Sequence, residues 1–187
     1  VPAALWETSR KFLPHGRLHS PYGATEALPV ASVSADDIDA RAVRGACVGR
    51  VVPEMEIKII AIDDGPIATL ADAREMPAGE IGEIIVRGPV VTKLYDAQPA
   101  ATAAAKIQTP NSKSQNSSSA SNALSAFGPC DLDLGISPPA GGVWHRMGDC
   151  GYRDAAGRLW FCGRKVERVE TPGATLHPRS EGRRGGK

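Results

Sequence analysis

A chain of 187 residues, 42% hydrophobic and 23% charged, has the length and balance of a globular domain with its own core. A net charge of +1 gives no electrostatic reason for a nucleic-acid partner or an anionic membrane surface. No apolar run approaches the roughly 20 residues of a membrane span, and residues 1–10 lack the basic-then-apolar order of a secretory leader. A cytoplasmic location is therefore expected. The four cysteines, Cys47, Cys130, Cys150 and Cys162, form no CxxC pair and complete no zinc pattern with the histidines. Reduced thiols are expected, with Cys150 and Cys162 as small apolar packing residues.

Residues 2–13 read as an amphipathic helix, with Leu5, Trp6, Ser9, Phe12 and Leu13 at helical spacing. Pro14 and Gly16 end it. Residues 17–20 read as extended. Pro21-Tyr22-Gly23 then breaks into a loop carrying Thr25 and Glu26, and Pro29 forbids a long helix after it. Residues 31–44 read as a loop or short helix, and 45–53 as a turn-rich entry to a strand.

Residues 54–62 (EMEIKIIAI) alternate at first and then turn wholly apolar, as a strand buried on both faces does. Asp63-Asp64-Gly65-Pro66 is a turn. Residues 79–91 form a second β segment, with Gly82 and Gly88 as bulge or bend positions. Residues 99–107 read as a short Ala-rich helix opened by Pro99. The whole suggests a small sheet or barrel attached to an α/β piece.

The composition then changes. Residues 109–125 hold seven serines and three asparagines with no periodic apolar pattern. Such a stretch cannot offset its ordering entropy by burial, so 108–142 is expected to be a low-complexity insertion. FGPCDLDLGI, residues 127–136, is the part of it with enough apolar character to dock locally. The Asn116-Ser117-Ser118 glycosylation match carries no weight without a leader.

Residues 144–165, WHRMGDCGYRDAAGRLWFCGRK, return to dense structure. A hairpin is expected from Tyr152 to Cys162, turning at Asp154-Ala155-Ala156-Gly157. After Thr171-Pro172 the pattern dissolves, and 179–187 (RSEGRRGGK) read as a frayed basic tail.

Two clusters carry candidate chemistry. Tyr22 offers an aromatic face, Thr25 a hydroxyl and Glu26 a carboxylate suited to a hard cation, while Gly23 admits close backbone approach. Alone, this is also ordinary turn chemistry. Asp149 follows Gly148 and Arg164 follows Gly163, one at each end of the hairpin. A carboxylate and a guanidinium so placed can share a ribose, through charged hydrogen bonds of about 1.5–3 kcal/mol each. They can equally form a surface salt bridge worth at most about 1 kcal/mol. Pairing alone leaves both readings open.

Three segments resemble, in order, core motifs of the adenylate-forming superfamily of acyl-CoA synthetases, luciferases and peptide-synthetase adenylation domains. YGATE (22–26) is similar to its YGxTE loop. GEIGEIIVRGPVVTKLYD (79–96) is similar to its Gly-Glu segment, and HRMGDCGYRDAAGRLWFCGRK (145–165) to its TGD…GR motif. The wording, including Met147 where Thr is usual, resembles the olefin β-lactone synthetase branch and neighbouring fatty-acyl ligases.

The resemblance implies a mixed α/β fold: the C-terminal part of the large N-terminal domain of an adenylate-forming enzyme, with a small β-sheet or distorted-barrel subdomain. Residues 1–107 would be a partial AMP-binding domain, 108–142 the insertion, 143–171 the AMP-binding hairpin and hinge approach, and 172–187 a tail without family likeness. Tyr22 would stack on adenine, and Gly23 and Ala24 would line the acyl entrance. Thr25 would bind the α-phosphate or the substrate carboxylate, and Glu26 would hold Mg²⁺. Asp149 would bind the ribose hydroxyls with support from Arg164. The cofactors implied are ATP/AMP and Mg²⁺, with coenzyme A in the ligase branch.

The substrate implied is a long-chain β-hydroxy fatty acid, with partner enzymes of hydrocarbon synthesis. The family's phosphate loop and catalytic-lysine lid have no counterpart in this sequence, and Val166 stands where the hinge is usually Asp or Lys. The chain alone is therefore expected to be inactive, and to expose surface that the rest of such a domain would cover. A non-catalytic nucleotide-binding module, a decayed remnant and a protein-interaction domain remain as other readings.

Overall fold

The computed structural model describes residues 3–37, 44–109 and 142–178. Cys130, the glycosylation match, FGPCDLDLGI and the 179–187 tail lie outside the described residues, as does most of the expected insertion.

The elements are α1 (Ala3–Phe12), β1 (His19–Ala24), β2 (Ala27–Ser34), β3 (Ala46–Val51), β4 (Glu56–Ile60), β5 (Gly82–Arg87), α2 (Pro99–Ala105), β6 (Lys106–Gln108), β7 (Val143–Arg153), β8 (Leu159–Arg164), β9 (Val169–Thr171) and β10 (Ala174–Leu176). The fold is mixed α/β with a dominant sheet, as expected. Eight strands form one antiparallel sheet in the order β1-β2-β3-β8-β7-β5-β4, with β6 also on β7. β7 is its axis. β5 runs along one side of it, while β6 and then β8 share the other.

The apolar runs of β4 and β5 are explained by two cores. Ile57, Ile59, Ile84 and Val86 point into one cluster with Ala27, Val30, Met147 and Leu159. Ile60 and Ile85 point the other way, into a cluster with Ile67, Ile107 and Trp144. Successive strand residues face opposite sides, so where a strand is covered on both faces consecutive positions are apolar, as at Ile59-Ile60 and Ile84-Ile85-Val86. Each such side chain taken fully out of water contributes roughly 1.5–3 kcal/mol.

Several local expectations need correction. The YGATE segment is not a loop: the strand runs through Tyr22 to Ala24, and only Thr25 and Glu26 turn the chain into β2. Residues 31–34 are strand, not loop or helix, because Val30, Ala31 and Val33 have two clusters to pack into. Among the described side chains of α1 only Trp6 is buried, against Val33 and Ala35. Leu5 and Phe12, on its expected apolar face, are 50% and 77% exposed. Gly88 is a bend, as expected, but Gly82 lies inside β5 and is neither a bulge nor a bend. The register shift in β5 falls between Glu83 and Ile85. A Cβ at Gly82 would collide with the Ile60 carbonyl, and one at Gly88 with the Met55 sulfur.

Past Thr171 the chain does not dissolve at once, since β9 and β10 pair. The 154–157 turn is as expected, closed by the Gly157 amide donating to the Asp154 carbonyl at 2.9 Å. Cys150 and Cys162 are fully buried, and burial pushes their thiols up to about 12 and about 11. They are packing residues. The expected insertion leaves and rejoins the sheet at one place: Gln108 pairs with Val143, and the Thr109 amide donates to the Gly142 carbonyl at 3.2 Å.

Candidate functional site

Asp149 and Arg164 are direct register partners across β7 and β8. Two glycines make this possible. Gly148 has φ +66°, with nothing near its missing Cβ, so backbone conformation alone selects glycine there. Gly163 has φ +130° and Pro178 against it. Asp149 is 4% exposed, whereas the Arg164 side chain is 56% exposed.

The Tyr22 hydroxyl donates to Asp149 Oδ2 at 2.6 Å. Arg164 Nη1 stands 3.0 Å from Oδ1, an ion-pair distance, but out of line for a hydrogen bond, so Oδ1 is buried without a hydrogen-bond partner. Burial pushes the Asp149 carboxyl above the usual carboxylate range, partly offset by Tyr22 and Arg164. Burial, reinforced by the Asp149 charge, drives the Tyr22 phenol far up, so it remains a donor. Its ring tilts against Phe161 at 6.3 Å between centroids.

Glu26 sits at the other side of the same turn. The Tyr95 hydroxyl donates to its Oε1 at 2.7 Å, and the Thr92 amide donates to its carbonyl at 2.8 Å. The hydrogen bond from Tyr95 holds the Glu26 carboxyl below its usual range, and so ionised. Lys106 donates to the Thr92 carbonyl at 2.6 Å and to its hydroxyl at 3.0 Å, with its ammonium 5.3 Å from the Tyr95 ring centroid. Burial draws Lys106 down to about 8, and draws its register partner His145 down to about 4. His145 Nδ1 lies 3.3 Å from the Ala105 carbonyl, which assigns the proton of the neutral ring to that nitrogen.

A cavity of about 530 Å³ opens beside this cluster, lined by Leu94, Tyr95, Thr102 and Lys106 among others. Among the described residues no group of three or more His, Cys, Asp or Glu side chains could cage a metal. Glu26 is thus a single carboxylate, the kind of ligand set that suits Mg²⁺ completed by water and phosphate oxygens.

A third cluster locks the hairpin exit. Arg146 grips Glu83 side-on, Nη2 to Oε2 at 2.6 Å and Nε to Oε1 at 3.1 Å, with both side chains essentially buried. It also donates to the Gly65 carbonyl at 2.6 Å and to the Asp63 carbonyl. Lys165, next to Arg164, reaches the same Glu83 at 3.3 Å and Asp63 at 3.0 Å. Val166, at the expected hinge position, is 86% exposed.

Of the expected residues, the structure joins Tyr22, Asp149 and Arg164 into one contact group. Glu26 is held in a neighbouring one, and Thr25 is left exposed on the turn. Gly23 is a close-approach position: a Cβ there would meet the Ala27 carbonyl and the Leu28 side chain. Ala24 pairs with Ala27 and packs on the larger core. Sequence reasoning gave no role to Tyr95, Lys106, Glu83 or Arg146. Tyr95 and Glu83 lie inside a quoted motif, but no spacing rule points to their partners.

The AMP-binding enzyme family model matches residues 1–96, just over half of the chain, so the chain belongs to that family. It is related to the olefin beta-lactone synthetase of Stenotrophomonas maltophilia, with 42% identity over 183 residues, 95% of this chain and 29% of that protein. The indoleacetate–CoA ligase of Aromatoleum aromaticum is 29% identical over 157 residues, 84% of this chain and 22% of that one. The chain thus spans less than a third of the length of these relatives. The same fold occurs in the O-succinylbenzoate coenzyme A synthetase of Bacillus subtilis, solved in complex with AMP. The TM-score is 0.59 at 23% identity, over 95% of this chain and 27% of that one.

Proposed function

We propose that this chain supplies the adenosine side of an ATP-dependent, acid-activating site. The observation that carries this reading is Asp149: a buried carboxylate whose Oδ1 lacks a hydrogen-bond partner, with a half-exposed arginine beside it and the Tyr22 hydroxyl donating to its other oxygen. A buried acceptor left unsatisfied costs about 1–3 kcal/mol, a penalty that a ribose hydroxyl removes. The 42% identity to an olefin beta-lactone synthetase supports a long-chain β-hydroxy fatty acid as substrate.

In the reaction proposed, the acid's carboxylate attacks the α-phosphorus of ATP, and the bond to pyrophosphate breaks. The β-hydroxyl then attacks the acyl carbon, AMP leaves, the hydroxyl proton passes to water and a β-lactone forms. Bound Mg²⁺ would supply charge neutralisation at the phosphates. Glu26 fits it, kept ionised by Tyr95. Asp149 and Arg164 would hold the ribose, Tyr22 would lie beside the adenine, and exposed Thr25 would meet the phosphate or substrate carboxylate. Residues 1–107 and 143–171 would be parts of one AMP-binding domain interrupted by 108–142, with 172–187 as a tail.

The proposed setting is cytoplasmic, alongside partner enzymes of hydrocarbon synthesis. Among the described residues no helix is long and apolar enough to cross a membrane. The identity to a CoA ligase supports a second reading, in which coenzyme A displaces AMP.

The test is a chimera in which this chain replaces the matching segment of the Stenotrophomonas synthetase, given ATP, Mg²⁺ and a 3-hydroxy fatty acid. The expected products are AMP and β-lactone, both lost on Glu26→Ala. Product only when coenzyme A is added favours the ligase reading. A folded chimera that consumes no ATP contradicts both.

A further inference from the structure

Lys106 is a buried cation, and burial opposes its charge. Its neighbour in β6, Ile107, packs into the apolar cluster around Trp144, so Lys106 faces the opposite side, toward residues 92–95. Those four residues belong to no helix or strand, and side chains hold them instead. The Lys106 ammonium donates to the Thr92 carbonyl at 2.6 Å and to the Thr92 hydroxyl at 3.0 Å, and lies 5.3 Å from the centre of the Tyr95 ring. From α2, the Thr102 hydroxyl accepts from the Tyr95 amide at 3.0 Å. Both held residues then reach Glu26. The Thr92 amide donates to its carbonyl at 2.8 Å and the Tyr95 hydroxyl to its Oε1 at 2.7 Å, which leaves Oε2 without a hydrogen-bond donor among the described residues.

Resting on the reading of Glu26 as the Mg²⁺ ligand, we propose that Lys106 is a positioning residue for that carboxylate. It ties Thr92 and Tyr95 together. Thr92 then sets the backbone of Glu26, Tyr95 sets its carboxylate, and Oε2 is left to meet the metal on the phosphates of ATP. An ammonium suits this task, because one compact charge can donate to two oxygens of Thr92 and still rest on the face of Tyr95. Packing alone gives no reason for it: at a site this buried an apolar side chain of similar length would fill the same space without the cost of desolvating a charge.

The experiment is calorimetric titration of the 187-residue chain with ATP, once with Mg²⁺ and once with EDTA in its place. The readout is the gain in affinity that the metal brings. Mg²⁺ is expected to strengthen ATP binding by the unmutated chain, and Glu26→Ala to remove the gain. A residue that orients a metal ligand contributes about tenfold or more to metal affinity, so Tyr95→Phe and Lys106→Met should each lose most of the gain. The double variant should lose less than the two single losses combined, because both act on one carboxylate. A merely structural role would weaken ATP binding equally with and without the metal. That result, an undiminished gain in Lys106→Met, or losses that simply multiply in the double variant would overturn the proposal and leave the reading of Glu26 standing. Should Lys106→Met not fold, Lys106→Gln is expected to lose part of the gain, and an undiminished gain in it would overturn the proposal equally. No gain in the unmutated chain, or one that survives Glu26→Ala, would overturn the reading of Glu26 and the proposal with it.

Discussion

The phenol of Tyr22 and the carboxylate of Asp149, 127 residues apart in the chain, are joined by a 2.6 Å hydrogen bond. It ties β1 to the central strand β7, and so brings the first and last of the three sequence motifs into contact. Burial raises the Asp149 carboxyl above the ordinary range, and a protonated carboxyl loses the charge that strengthens a ribose hydrogen bond. AMP affinity is therefore expected to fall on acidification before an ordinary aspartate, with its pKa near about 3.9, would titrate. Calorimetry across a pH series reads this. Asp149→Asn should bind AMP more weakly, with that pH dependence gone.

Glu83 accepts from both Arg146 and Lys165 in the interior, so its removal leaves a buried cation unpaired. Breaking such a pair costs about 3–5 kcal/mol, whereas replacing both members by apolar residues can be nearly neutral. Glu83→Leu should lower stability on that scale in a denaturant titration. The double change Glu83→Leu with Arg146→Met should recover much of it.

His145 adds a second pH effect. Its folded pKa, about 4, lies below the unfolded value, so the unfolded chain takes up the proton first. The stability it contributes is present above about pH 6.5 and is lost as pH falls towards about 4, amounting to about 3 kcal/mol in all. Stability measured across that window should decline with acid, and His145→Gln should flatten the decline.

Gly148 offers a cleaner backbone test, because a Cβ there meets nothing. Gly148→Ala should cost roughly 1–2 kcal/mol from its φ of +66° alone. If Asp149 is the nucleotide's anchor, the same change should also weaken AMP binding, by shifting the carboxylate.

The sequence made the double-faced part of these strands legible, because the runs Ile59-Ile60 and Ile84-Ile85-Val86 lack the alternation that a solvated face would demand. It also located Asp149 and Arg164, because two glycines and a four-residue turn constrain where a hairpin's ends meet. It could not show β1 continuing through Tyr22. Pro21 and Gly23 are poor strand residues, overruled here by pairing with β2 and by the tight approach of Gly23 to Ala27. Nor could it show the engagement of Tyr22 with Asp149, Tyr95 with Glu26, or Arg146 with Glu83. These depend on tertiary placement: Arg146 meets Glu83 because β5, from a distant part of the chain, lies beside β7, and Tyr22 meets Asp149 although β1 and β7 are not neighbours in the sheet. The apolar stripe of α1 misled for a related reason: Trp6 docks, and the remainder of that face meets no described residue that buries it.

The central claim is that a buried aspartate on β7 holds a nucleotide through its sugar. Calorimetric titration of the 187-residue chain with AMP, beside Asp149→Ala, tests it most directly. The account predicts saturable binding by the unmutated chain and a loss of roughly tenfold or more in the variant, with its fold intact by circular dichroism. Equal affinity in the two proteins, or no binding by the unmutated chain, would contradict it.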